Sequence, residues 1–177
     1  PTAASAAEAL DAVNAHQPDL VLVDLILGDG PDGIMLTKAI RADRPVLPVL
    51  VLSGRDESQF AERALLAGAS GYLMKEEAPD VLFEAMEAAL AGRIWISPAM
   101  RERLLPPTLR FRDPSVITDE IGVSLLAELR RGNRTVGGIS RATGRSHGTV
   151  DRGLDLLMEQ LGLPSRAALY LLALPVD

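Results

Sequence analysis

Apolar positions along the chain alternate between two rhythms. Residues 6–16 (AAEALDAVNAH) put Ala7, Leu10 and Val13 on one side of a helix, and Pro18 ends the run. LVLVD at 20–24 is a short unbroken apolar stretch, the form of a parallel strand buried on both faces. A Gly/Asp/Pro-rich loop, GDGPDG at 28–33, follows, and residues 34–43 return to helical spacing. After Pro45 and Pro48, VLVLS at 49–53 reads as a second buried strand, SQFAERALLAGA at 58–69 as a helix and GYLMK at 71–75 as a third strand. Residues 79–91 close the series as a helix with Leu82, Met86 and Leu90 on one face.

Strands alternating with helices predict a parallel sheet with helices on both faces. Ligands of such sheets gather at the carboxyl ends of the strands. Asp24, Ser53 and Lys75, each at or just past a strand end, are therefore the residues to watch.

The pattern then changes. Residues 93–116 contain Pro98, Pro106, Pro107 and Pro114 among several arginines and read as a linker, with some helix expected within 98–105. Residues 117–177 read as all-helical: one helix opening at Thr118 and running to about Arg131, a short one over 135–142, a third over 147–161, and a last one capped by Ser165 and running to about Leu174.

Charge divides the chain at the same place. Residues 1–92 hold 6 Lys and Arg against 15 Asp and Glu, while residues 93–177 hold 12 Arg against 9 Asp and Glu, for −6 in all. An acidic front and a mildly basic rear suggest two modules with different partners, nucleic acid suiting only the second. The chain has no cysteine, and its histidines, His16 and His147, are far apart, which disfavours disulfides, thiol chemistry and histidine metal centres. No apolar run is long enough to span a bilayer and no leader pattern is present, so no membrane partner and a cytoplasmic location are expected.

PDLVLVDLILGDGPDG, VLVLSG and AGASGYLMK resemble, in order and spacing, the receiver domain of response regulators, the CheY-like fold, over residues 6 to about 92. The resemblance implies that Asp24 accepts a phosphoryl group, that Ser53 and Lys75 contact that group, that Tyr72 is the aromatic switch, and that Gly33 ends the loop after the acceptor. The residue types suit this chemistry. A carboxylate can form an acyl phosphate, and the charge on the transferred group calls for a hydroxyl, an ammonium and a metal around it.

One departure matters. The family starts with a strand ending in an acidic pair that binds Mg²⁺, then a helix and a second strand, whereas this chain opens at about the second helix. In the order 2-1-3-4-5 the first strand would flank LVLVD, so an apolar strand edge is expected to be left unpaired. Asp24 alone supplies one metal ligand, and Asp29 and Asp32 are not expected to join it. Mg²⁺ is therefore expected only where an upstream acidic pair exists. Either the sequence given is incomplete at its N-terminus, which is favoured, or the protein is naturally shortened, and another chain could then fill the gap.

ITDEIGVSLLAEL, RGNRTVGGIS, ATGRSHGTV and LMEQLGLPSRAAL resemble the four-helix output domain of the NarL/LuxR group, with Ile139, Val150, Leu154, Leu157 and Leu161 at its core positions. The resemblance implies a helix at 147–161 in the DNA major groove, with Arg145, His147, Thr149 and Arg152 nearest DNA and Arg134 and Arg141 reaching phosphates. Asp151, Gly153, Asp155 and Glu159 depart from that pattern, and Gly137 and Gly138 weaken the helix before it.

The expected architecture is thus an α/β, CheY-like receiver at 1–92, a linker at 93–116 and a helix-turn-helix domain at 117–177. The expected function is transcription control, not enzymatic catalysis. A sensor histidine kinase would act on Asp24, DNA would bind the rear domain, and a homodimer would form through residues 57–91 or the output domain. The alternative is a phosphorylation-independent regulator acting through protein contacts, with weak or no DNA binding.

Overall fold

The computed structural model describes residues 1–27, 33–110 and 112–173. Helix α1 (Ala6–His16) starts at Ser5, whose hydroxyl accepts from the Glu8 N–H, and stops at Gln17 in a left-handed turn before Pro18. Strand β1 (Val21–Asp24), helix α2 (Gly33–Asp43), strand β2 (Val49–Ser53), helix α3 (Glu57–Leu66), strand β3 (Gly71–Met74) and helix α4 (Pro79–Leu90) follow in strict alternation. The strands pair in parallel in the order β1-β2-β3. β2 is central, and its residues 49–51 are fully buried, as an unbroken apolar run requires.

β1 is an edge strand. Val23 packs with Val13, Leu36, Ile40 and Val49 under α1 and α2. On the other face α4 covers Leu50 and Leu73, yet Leu22 of β1 stays 42% exposed. A groove of about 520 Å³ runs along this edge, lined by Pro1, Leu20, Leu22, Leu27 and Met86 among others. The expected unpaired apolar edge is therefore present.

The stretch expected as a linker is mostly packed structure. The Trp95 N–H donates to the Ser70 carbonyl and the Tyr72 N–H to the Trp95 carbonyl, so residue 95 extends the sheet beside Gly71. Ile94, Ile96, Met100 and Leu104 are buried, the last two on helix α5 (Pro98–Leu104). Apolar spacing outweighs the proline content here. Residues 105–110 and 112–113 are irregular, ahead of a 3₁₀ turn at Pro114–Val116.

Four helices follow among the described residues: α6 (Glu120–Arg130), α7 (Val136–Thr143), α8 (His147–Leu161) and α9 (Arg166–Leu172). Asp119, rather than Thr118, caps α6; Thr135, Ser146 and Ser165 cap the others. Gly144 and Gly162 take left-handed conformations that end α7 and α8.

One apolar cluster runs from Leu25, Val51 and Tyr72 through α3 and α5 into α6–α9, so the two halves share a core. Their seam is unusual. Arg41 of α2 is completely buried, donating from Nη1 to the Leu47 carbonyl at 2.8 Å and from Nη2 to the Gly132 carbonyl. Arg134 is buried beside it and donates from Nη2 to the Gly92 carbonyl at 2.8 Å. Burial, together with the Arg134 charge, holds the Arg41 guanidinium down to about 9; burial holds Arg134 to about 10. Both stay charged at neutral pH.

Two glycines that look like helix weakeners permit close packing instead. A Cβ on Gly153 of α8 would lie 2.5 Å from Leu125 of α6. A Cβ on Gly138 of α7 would lie 2.3 Å from Asn133 Oδ1 and 2.8 Å from Pro45 across the seam. Propensity alone favours Gly138→Ala by about 1 kcal/mol, whereas overpacking costs about 1–3 kcal/mol. The substitution is expected to lower the midpoint of thermal unfolding; a raised midpoint would contradict the seam packing.

Candidate functional site

The register of the sheet brings the three strand-end residues to one edge. Asp24 lies opposite Leu52 and Ser53 opposite Met74, and the Lys75 N–H donates to the Ser53 carbonyl at 2.8 Å. Lys75 reaches across the tip of β2, and its Nζ donates to Asp24 Oδ2 at 2.5 Å. The Ile26 N–H donates to Asp24 Oδ1 at 3.0 Å, which fixes the carboxylate at the start of the loop. Gly33 closes that loop: its N–H donates to the Leu25 carbonyl at 2.8 Å, and a Cβ there would lie 2.2 Å from the Asp24 carbonyl oxygen. Only glycine allows α2 to approach β1 so closely.

Ser53 is buried under this edge. Its hydroxyl accepts from the Arg55 N–H at 2.8 Å. Tyr72, fully buried in β3, donates from its hydroxyl to the Arg55 carbonyl at 2.9 Å. Residue 55 therefore ties the strand-end hydroxyl to the aromatic. Burial raises the Tyr72 phenol above its usual value, while the Ser53 hydroxyl works in the other direction.

Burial also pushes the Asp24 carboxyl up, but the Lys75 hydrogen bond, the Ile26 N–H and the Lys75 charge outweigh it, and the group is held below the ordinary carboxylate value. Both partners are more than a third exposed, so solvent screens the pair and its net worth is small. The described residues do not by themselves assemble a magnesium centre. Asp24 offers one carboxylate, already engaged by Lys75, and no group of three or more His, Cys, Asp or Glu among the described residues could hold a metal. Asp29 and Asp32 lie outside the described residues.

The receiver domain of response regulators matches residues 1–87. A solved two-component response regulator of the LuxR family from Aurantimonas sp. SI85-9A1 is 40% identical over 56% of this chain and 71% of its own, with a TM-score of 0.53. The chain belongs to the NarL/LuxR-type response regulators. Among curated relatives, the nitrate/nitrite response regulator protein NarP of Escherichia coli is 29% identical over 97% of this chain and 80% of its own length. The oxygen regulatory protein NreC of Staphylococcus carnosus is 32% identical over 59% of this chain. This response regulator spans about half of NreC (48%).

The candidate DNA residues of the response regulator fall into two groups. Arg145, His147, Thr149 and Arg152 stand together on the first turns of α8 and the turn before it. His147 and Arg152 are exposed, and Arg145 pairs with Glu120 at 2.9 Å. Arg134 does not belong with them. It is 2% exposed and points into the seam, so it cannot meet a phosphate on a duplex. Arg141 is exposed, but its guanidinium donates to the Ala42 carbonyl of the front half.

Two side chains that shape these surfaces escaped sequence reasoning. Arg166 binds Asp151 at 2.7 Å and Asp155 at 2.6 Å, which neutralises two of the acids that depart from the family pattern on α8. No local signal marks it. Arg41 did leave one: Ile34, Thr37 and Arg41 lie one above another on α2 at helical spacing, on its buried face.

Asp24 is expected to titrate below the ordinary value of about 3.9 in a carboxyl NMR titration. Its contribution to stability is then present at neutral pH and lost as pH falls through that lowered value. In Lys75→Ala the titration is expected to move up, because burial remains and the ammonium is gone. An unchanged Asp24 titration in that variant would contradict the pairing.

Proposed function

We propose that this response regulator controls transcription. A sensor histidine kinase phosphorylates Asp24, and the helices at 117–177 bind DNA through α8. The observation that carries this reading is the contact of Asp24 with Lys75 at the edge shared with Ser53. An Asp24 carboxylate oxygen forms a bond to phosphorus as the bond from phosphorus to the kinase's histidine nitrogen breaks. The Lys75 ammonium then faces the charge that develops on the equatorial oxygens. The new oxygens compete with the Arg55 carbonyl for the hydrogen of the Ser53 hydroxyl. Moving Ser53 disturbs residue 55, and through its carbonyl the Tyr72 hydroxyl.

The output helices read DNA through Arg145, His147, Thr149 and Arg152. In the arrangement described here, α7 packs against α2, so a switched state would have to release Arg141 from Ala42 to enlarge the basic surface. Helix α3 is covered by α5 and α9, whereas α4 leaves Phe83 and Leu90 exposed. Pairing of two copies within 57–91 would therefore use α4.

A second reading has one specific observation in its favour. Arg134 and Arg141, both expected at DNA, donate instead to the Gly92 and Ala42 carbonyls of the front half. A phosphorylation-independent regulator acting through protein contacts does not need them at DNA.

Incubation with acetyl phosphate in magnesium buffer separates the two readings. The first expects a mass gain of one phosphoryl group that disappears in Asp24→Asn. No gain, or a gain retained in Asp24→Asn, would favour the second. For DNA, fluorescence anisotropy is expected to show binding that weakens steeply with salt and falls in Arg152→Ala. Binding indifferent to both would remove α8 from the DNA interface.

A further inference from the structure

The seam between the two halves encloses a cavity of about 660 Å³. Lys38, Arg134, Arg141, His147 and Arg166 line it, and no carboxylate does. Arg166 is already paired with Asp151 and Asp155. Among the described residues, no carboxylate forms an ion pair with Lys38, Arg134 or Arg141. Lys38 and Arg141 stand exposed at the mouth, while Arg134 and Tyr170 are buried at the back. Arg41, fully buried, lies near enough to Arg134 to feel its charge, and its Nε has no hydrogen-bond partner. Two buried guanidiniums side by side without a counter-ion are costly. An anion in the cleft beside them would relieve that cost.

We propose that this cleft binds a small, multiply charged phosphate-bearing molecule of up to mononucleotide size. The volume lies within the range of small-molecule sites. Guanidinium forks match phosphate oxygens, and a lysine at the mouth adds a point charge. A duplex is excluded from the back of the cleft. Arg134 is 2% exposed, and the front half supplies Lys38, Ala42, Leu66 and Ala67 as the opposite wall. The ligand touches both halves, so it holds them together and keeps Arg141 and His147 turned inward. That consequence rests on the DNA-binding reading. By linkage the anion and DNA then weaken one another.

Calorimetric titration of the whole chain with pyrophosphate, ADP and adenosine tests the site without DNA or a phosphodonor. Its outcome is therefore independent of whether Asp24 is phosphorylated or α8 binds DNA. Pyrophosphate and ADP are expected to bind saturably and adenosine not to bind. Lys38→Gln is expected to weaken both anions about tenfold, the loss of one charged hydrogen bond, and Arg101→Gln on α5 to change nothing. No saturable heat from either anion at millimolar concentration, equal binding of adenosine, or unaltered binding in Lys38→Gln would overturn the proposal. Weaker DNA binding in Lys38→Gln with no heat from the anions would assign the cleft to nucleic acid and also overturn it. Lys38 and Arg101 are both exposed, so the test does not depend on a variant of the buried Arg134 folding.

Discussion

Parallel pairing of three short strands, Val21–Asp24, Val49–Ser53 and Gly71–Met74, delivers an acid, a hydroxyl and a base to the same edge of one sheet. Each strand ends where its apolar run ends. The first polar side chain after the run is thereby placed at the rim. Lys75 reaches Asp24 past the tip of β2, where the small Ser53 is buried. Gly33 matters at the same edge: a side chain there would collide with the Asp24 backbone and shift Asp24 relative to Lys75.

The second constraint is the seam. Arg41 and Arg134 fix the rear helices to the front half through backbone carbonyls rather than through carboxylates. Carbonyl partners satisfy donors but leave net charge in place. The halves therefore fit closely by shape, as Gly138 against Pro45 shows, while remaining electrostatically incomplete.

The strands and their terminal residues were legible because unbroken apolar runs of four or five residues have few other readings, although Leu22 of β1, expected to be buried, is exposed. The stop of the first helix was legible from Pro18, whose ring bars a further helical turn. What was not legible depended on distant neighbours. Arg134 sits in a polar turn, and only the Gly92 carbonyl, 42 residues away, shows that it is internal. Gly138 and Gly153 lower helix propensity locally, and their reason lies on Pro45 and Leu125. In 93–116 the prolines were conspicuous, while the apolar residues at 94, 96, 100 and 104 decided the structure.

Backbone NMR of the labelled chain with beryllofluoride, a phosphoryl mimic, in magnesium buffer tests the strand-end site most directly. The account predicts that the amides of Lys75, Arg55 and Tyr72 shift together, and that none of them shifts in Asp24→Ala. Shifts that survive the loss of Asp24, or a spectrum untouched by the mimic, would contradict it.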